Sequence, residues 1–142
     1  MLDFKFDWCK EVETGIALMD TQHKELFRIG RDVEQLVICH CIGATNKQLL
    51  DIVLELRDYV CYHCYHEEEL MKENNYPDYE KHKKRHDELI QFILSVDCRK
   101  LSEEPYTILR KVKTYLQDWI FNHLLVDDVD LGQYLHEVNQ RK

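Results

Sequence analysis

The chain has 142 residues, of which 44% are hydrophobic and 32% charged, a composition typical of a soluble globular protein and not of a disordered segment. This length is enough to bury one core. Its 27 acidic and 19 basic residues give a formal net charge of -8, which disfavours nucleic-acid backbones and anionic membrane surfaces as partners.

The first residues, MLDFKFDW, contain two acids and no continuous apolar stretch, so we expect no secretory signal peptide. No apolar run has the length of a membrane span. We therefore expect a cytoplasmic protein whose six cysteines remain reduced thiols. They are Cys9, Cys39, Cys41, Cys61, Cys64 and Cys98.

Four glycines and two prolines are few for this length, which favours long helices over many short strands. Residues 1–19 have no clear period and are predicted to form an N-terminal arm. A first helix is predicted from a cap at Asp20 to about residue 39. A second is predicted from a cap at Asn46 to the NNYP segment at 74–77.

The second half of the chain has the same helical pattern. A third helix is predicted over about residues 79–97. Ser102 and Pro105 occupy favoured starting positions for a fourth helix. Residues 129–139 have the spacing of a short amphipathic helix.

Four amphipathic helices with short connections imply an all-α fold, an antiparallel up-down-up-down four-helix bundle. The chain is predicted to be a single domain over residues 1–142. Within it we expect the arm at 1–19, the bundle at 20–128 and a C-terminal tail helix at 129–142.

Polar side chains interrupt the apolar stripes that the four helices are expected to bury. One such histidine alone is more often a satisfied core residue. A set of five histidines and a carboxylate, drawn from all four helices, needs partners in a dry interior, and a metal supplies them. The set is His23, His63, Glu67, His82, His86 and His123.

The spacing within this set fits metal binding. His63 and Glu67 are an i,i+4 pair, as are His82 and His86, so each pair projects from one helix face about one turn apart. Imidazole and carboxylate donors suit iron, zinc, copper or manganese. Five imidazoles exceed what one tetrahedral zinc uses, and two carboxylates would permit a dinuclear site instead.

The fourth helix offers two aspartates after His123. In an ideal α-helix Asp127, at i+4, lies about 40° round the axis from His123, whereas Asp128, at i+5, lies about 140° away. Geometry alone therefore favours Asp127. Asp128 would serve only if the helix ends or is distorted between them.

Several segments of the chain form an ordered pattern that matches a known family. They are Trp8, Gly15, DTQHKEL (20–26), YVCYHCYHEEELM (59–71), YP (76–77), HKKRH (82–86) and WIFNHLLVDD (119–128). This pattern resembles the hemerythrins, particularly the bacterial ones. The resemblance covers about Trp8 to Asp128 and implies a non-haem di-iron protein with the four-helix-bundle fold.

The resemblance implies an unequal division of the histidines between two iron ions (Fe2+/Fe3+). One iron would be held by His82, His86 and His123. The other would be held by His23 and His63, which leaves it one open position.

Two carboxylates, Glu67 and Asp128, would bridge the two irons together with an oxo or hydroxo group. The family motif places its aspartate five residues after the histidine. It therefore selects Asp128 over Asp127 and predicts a helix end or distortion before Asp128.

The function implied by the resemblance is reversible dioxygen binding, for oxygen transport, storage or scavenging, without catalysis. Dioxygen would be held as hydroperoxide at the iron of His23 and His63. Ile120 and Leu124 are candidates to line the pocket, although ordinary core packing fits them equally well. Cys64 would also line it, at a position that the family usually gives to an aromatic residue.

Several alternatives bear on this interpretation. HEEEL at 66–70 lacks the second histidine of a metalloprotease motif. No histidine has a glutamate three residues before it, which disfavours a ferritin-like oxidase site. The CxxC pair Cys61 and Cys64 lies on a continuous helix without the strand of a redox motif. A di-iron oxidase, a peroxidase or nitric-oxide-related enzyme, and an iron or oxygen sensor remain the alternatives, and no protein partner is indicated.

Overall fold

A computed structural model describes residues 6–140, and within that range it contains helices and no strand. The all-α prediction is therefore confirmed. The elements are a 3-10 turn (Lys10–Val12), α1 (Ala17–Ile38), α2 (Asn46–Glu73), α3 (Tyr79–Leu94), α4 (Cys98–Glu103), α5 (Pro105–Trp119), a π-helical segment (Ile120–Asp128) and α6 (Val129–Gln140). The remainder of the predicted arm and tail, 1–5 and 141–142, lies outside the described residues.

The long helices pack as an antiparallel bundle. Between α1 and α2, Gln22 contacts His63 while Arg28 contacts Glu55, so the two helices run in opposite directions. Hydrogen bonds between α3 and α5 have the same reversed order. Helix α1 also packs on α5, and α2 on α3. This closes the four-helix arrangement predicted from the short connections.

The start of α1 differs from the prediction. Asp20 is not the N-cap, because the helix begins three residues earlier, at Ala17, and residues 17–19 belong to it rather than to the arm. The Asp20 carboxylate instead accepts hydrogen bonds from the backbone N–H of Thr14 at 2.8 Å and of Gly15 at 3.2 Å. It therefore attaches the preceding segment to the first turn of the helix.

The start of α2 is displaced by one residue from the prediction. Asn46 is the first helical residue, and Thr45 is the N-cap. The Thr45 hydroxyl accepts from the Gln48 backbone N–H at 3.1 Å, and the Gln48 side chain accepts from the Thr45 N–H at 2.8 Å. This capping box satisfies two backbone groups at the helix end, an advantage that Asn46 alone does not provide.

The third helix ends at Leu94, three residues earlier than predicted, since Asp97 caps a separate short helix. Its carboxylate accepts from the Arg99 backbone N–H at 2.9 Å. Ser102 lies inside that short helix and does not start the fourth long one. Pro105 does start α5. In the first turn of a helix the backbone N–H has no partner within the helix, so its absence in proline costs no hydrogen bond.

Two apolar clusters fill the bundle, and the predicted ligand layer lies between them along the helices. On α1, His23 stands between Met19 of the smaller cluster and Leu26 of the larger one. On α2, Glu67 stands between Cys64 of the larger cluster and Met71 of the smaller one. Apolar packing on both sides keeps this layer dry.

None of the helices within residues 6–140 combines the length and the apolar character that crossing a membrane would require.

Candidate metal centre

The structure brings all seven predicted ligand side chains into one buried layer. None of them exposes more than 3% of its surface. They come from α1, α2, α3 and the π-helical segment, so the layer connects the whole bundle. The residues are His23, His63, Glu67, His82, His86, His123 and Asp128.

Their donor atoms form two groups that have two carboxylates in common. Within each group the atoms lie within 4.8 Å of one another. The larger group contains three histidines, the smaller contains two, and Glu67 and Asp128 belong to both. The members are Glu67, His82, His86, His123 and Asp128 in the larger group, and His23, His63, Glu67 and Asp128 in the smaller.

Glu67 directs one carboxylate oxygen toward each group. Its Oε1 lies 2.6 Å from His82 Nε2 and 3.1 Å from His86 Nε2. Its Oε2 lies 3.2 Å from His63 Nε2 and 3.4 Å from His23 Nε2. A carboxylate in this orientation can bridge two cations.

Asp128 has the same divided arrangement. Its Oδ1 lies 2.9 Å from His82 Nε2 and 3.1 Å from His123 Nε2. Its Oδ2 lies 3.0 Å from His23 Nε2. The two carboxylates thus approach the same pair of donor groups from different helices.

The π-helical segment explains why Asp128 faces the centre. In a π-helix the backbone hydrogen bonds span five residues, so residue i+5 lies one turn from residue i. Asp128 is consequently fully buried beside His123. Asp127, which an ideal α-helix would favour, turns outward. The predicted distortion of the helix is confirmed.

Outer hydrogen bonds orient two of the histidines. The Nδ1 of His63 is 2.8 Å from Gln22 Oε1, and the Nδ1 of His86 is 2.9 Å from Glu68 Oε2. An N–H donated at Nδ1 leaves the Nε2 lone pair free to face the centre, the usual arrangement of a metal-binding histidine. The sequence did not identify either partner, because each contact depends on how two helices meet.

A third outer contact reaches toward the surface. His123 Nδ1 is 2.9 Å from Asp127 Oδ2, and the same carboxylate forms an ion pair of 3.0 Å with Arg85 Nε. Asp127 therefore supports the histidine from outside the centre. His66, by contrast, is exposed and contacts the ring of Tyr62, away from the seven residues.

Several of the buried donor atoms are not satisfied by one another. Among the described residues, the buried side-chain nitrogens and oxygens without a hydrogen bond all belong to five of the seven. His23 Nε2 and Asp128 Oδ2, for example, are 3.0 Å apart and make no hydrogen bond. Leaving a buried polar atom unsatisfied costs about 1–3 kcal/mol. Cations at the two points of convergence would satisfy these atoms, so the residues present fit a metal pair.

The carboxylates also change the histidine pKa values of the metal-free chain. Burial disfavours a charged imidazole, but the neighbouring carboxylates of Asp128 and Glu67 favour it, outweigh burial and raise the pKa of His23 and of His82 to about 9. Burial lowers the pKa of His63, whose Nδ1 faces a neutral amide. Metal binding must therefore displace protons from part of this layer.

Comparison with known proteins identifies the family. The family model described as Hemerythrin HHE cation binding domain matches residues 14–135. A bacteriohemerythrin of Clostridium acetobutylicum is 26% identical over 123 residues, spanning 87% of this chain and 95% of that protein. One from Pseudomonas paraeruginosa is 30% identical over 124 residues, spanning 85% and 75%. One from Campylobacter jejuni is 30% identical over 130 residues, spanning 90% and 93%. The chain therefore belongs to the hemerythrin family.

Proposed function

We propose that this chain holds two iron ions and binds dioxygen reversibly at one of them, for oxygen transport, storage or scavenging. The observation that carries the proposal is the pair of donor groups that share Glu67 and Asp128 and differ by one histidine. Two cations held in this way would have unequal numbers of protein ligands. The cation with fewer ligands has room for an exogenous molecule.

In this proposal His82, His86 and His123 bind one iron through Nε2. His23 and His63 bind the other. Glu67 and Asp128 each direct one carboxylate oxygen toward each donor group, which supports their role as bridges between the two irons. An oxo or hydroxo group would be a further bridge. Iron would supply the electrons and the open coordination position that dioxygen binding requires.

The chain's own residues fix and protect that open position. Gln22 Oε1 accepts a hydrogen bond from the Nδ1–H of His63 and so holds the ring with its Nε2 toward the centre. Ile120 and Leu124, both buried in the π-helical segment, are proposed to exclude water from it. Cys64 is also buried, but its sulfur groups with Glu68 and His86, and not with the two-histidine group. This position favours a role beside the three-histidine iron instead of in the oxygen pocket.

The composition of the centre favours carriage over catalysis. Ferritin-like di-iron proteins use Glu-x-x-His pairs and a carboxylate-rich centre. Here five histidines accompany two carboxylates. We infer that the chain is not an enzyme. A cytoplasmic location stays a prediction from the sequence.

The test is an optical titration of the anaerobically reduced, iron-loaded protein with dioxygen, followed by oxygen removal. We expect a visible charge-transfer absorption that appears with oxygen and disappears after its removal, with two iron ions per chain. A single irreversible oxidation would contradict the proposal, as would a purified chain that retains no iron.

A further inference from the structure

A third group of donor atoms adjoins the proposed di-iron centre. One atom each of Cys64, Glu68 and His86 lie within 4.8 Å of one another. Cys64 and His86 expose 1% and 0% of their surfaces. The Cys64 thiol has no hydrogen-bond partner within residues 6–140, although an imidazole and a carboxylate lie beside it. Glu68 keeps 15% of its side chain exposed, which gives this group contact with solvent.

His86 stands between this group and the di-iron ligands. Its Nε2 lies 3.1 Å from Glu67 Oε1, on the side of the seven ligands. Its Nδ1 lies 2.9 Å from Glu68 Oε2, on the side of the cysteine. A neutral imidazole carries one proton, so it can offer a lone pair to only one side at a time.

We propose that Cys64 Sγ, a Glu68 carboxylate oxygen and His86 Nδ1 form a separate binding site for a thiophilic divalent cation such as Zn2+, and that its occupancy competes with iron loading through His86. The competition, but not the cation site, rests on the proposed function. Sulfur, nitrogen and oxygen donors from one Cys, one His and one Glu suit zinc, with a fourth position for water.

The nitrogen and oxygen donors need little adjustment. With metal–nitrogen and metal–oxygen bonds of about 2.0–2.1 Å, a tetrahedral site separates the two atoms by about 3.3 Å. The Nδ1–Oε2 distance in the structure is 2.9 Å. An opening of about 0.4 Å is within reach of the partly exposed Glu68 side chain.

Proton positions follow from this assignment. When the cation binds, Cys64 releases its thiol proton to solvent. His86 then carries its single proton on Nε2, and this N–H donates a hydrogen bond to Glu67. When iron binds Nε2 instead, the proton is on Nδ1, where the N–H donates a hydrogen bond to Glu68, so the second site loses its nitrogen ligand. Neither step changes an oxidation state.

The competing explanation is that Cys64 only fills space and Glu68 only orients His86. A titration of the metal-free, full-length chain with Co2+ distinguishes the two, because only a cobalt–thiolate bond gives a sulfur-to-cobalt absorption in the near ultraviolet. We expect this absorption in the wild type and in Cys61→Ser, the matched control for an exposed cysteine on the same helix. Cys64→Ser should lose it. Glu68→Gln should show it only at cobalt concentrations at least about tenfold higher.

Three results would overturn the proposal: absence of the sulfur band in the wild type, its survival in Cys64→Ser, or its loss in Cys61→Ser. Circular dichroism verifies that each variant is folded.

The competition between the two sites has its own measurement. One equivalent of Zn2+ added first should slow iron uptake more in the wild type than in Cys64→Ser, and equal slowing in both would refute the competition. A chain that shows the cobalt–sulfur band but binds no oxygen would contradict the proposed function alone.

Discussion

His123 and Asp128 are five residues apart in sequence and meet across one helical turn, with His123 Nε2 3.1 Å from Asp128 Oδ1. The π-helical segment makes this contact possible, because its wider turn places residue i+5 below residue i. Two neighbouring aspartates thereby acquire different surroundings. Asp128 is buried among the imidazoles, and Asp127 pairs with Arg85 at the edge of the centre.

Substitution of the two aspartates should separate these roles. Asp128→Asn removes a proposed bridging oxygen, so we expect purified protein with less than about half of the wild-type iron content. Asp127→Asn removes the negative charge that supports His123 from outside the centre and pairs with Arg85, and a loss of about 10–100-fold in metal affinity is typical for such outer contacts. Iron content and a chelator competition measure both effects. Asp130→Asn, an exposed position two residues farther on, is the control. A larger loss of iron in Asp127→Asn than in Asp128→Asn would show that the assignment is reversed.

Two histidines on α2 provide a second comparison. His63→Ala should abolish the oxygen-dependent absorption and lower the iron content, because it removes one of only two histidines in the smaller donor group. His66→Ala should leave both unchanged, since this side chain is exposed. Iron analysis and the oxygen titration check the pair. If His66→Ala were the damaging change, the face of α2 that binds metal would have been misidentified.

Regular helical spacing explains how much of the site could be predicted from sequence. His63 and Glu67 could be placed together because α2 keeps an unbroken α-helical repeat over 28 residues. The same spacing failed at Asp127, where the repeat widens without any local sequence signal such as glycine or proline. Family resemblance, and not periodicity, selected Asp128.

Contacts between helices could not be predicted from sequence. The spacing that pairs Glu67 with His63 says nothing of Glu68, yet Glu68 contacts His86 of the neighbouring helix at 2.9 Å. Gln22 likewise reaches His63 only because α1 and α2 pack at this level. Such pairs depend on the distance and rotation between helices, which the spacing along one helix does not encode.

Gln22 offers a test of the outer hydrogen bonds. Gln22→Leu leaves the Nδ1–H of His63 without an acceptor in a buried position, so we expect iron affinity to fall by about 10–100-fold. Gln22→Glu retains an acceptor oxygen and should recover most of that loss. Gln35→Leu, an exposed glutamine on the same helix, controls for the change in polarity. Equal affinity in Gln22→Leu and the wild type would mean that this hydrogen bond does not orient the ring.

The raised histidine pKa values predict a stronger pH dependence of stability in the metal-free chain than in the iron-loaded chain. In the metal-free chain the carboxylates hold the pKa of His23 and of His82 at about 9, above the ordinary value of 6.5. A group whose pKa is raised by folding stabilises the protein fully below its unfolded pKa, and this contribution is lost as the pH rises through the folded value. The melting temperature of the metal-free chain should therefore fall by at least about 5 °C between pH 6.5 and pH 9.5. Iron replaces these protons, so the melting temperature of the loaded chain should change less over the same pH range.

Thermal melts followed by circular dichroism at both pH values measure the effect, with the loaded chain as control. Parallel curves for the two forms would contradict proton binding at this layer.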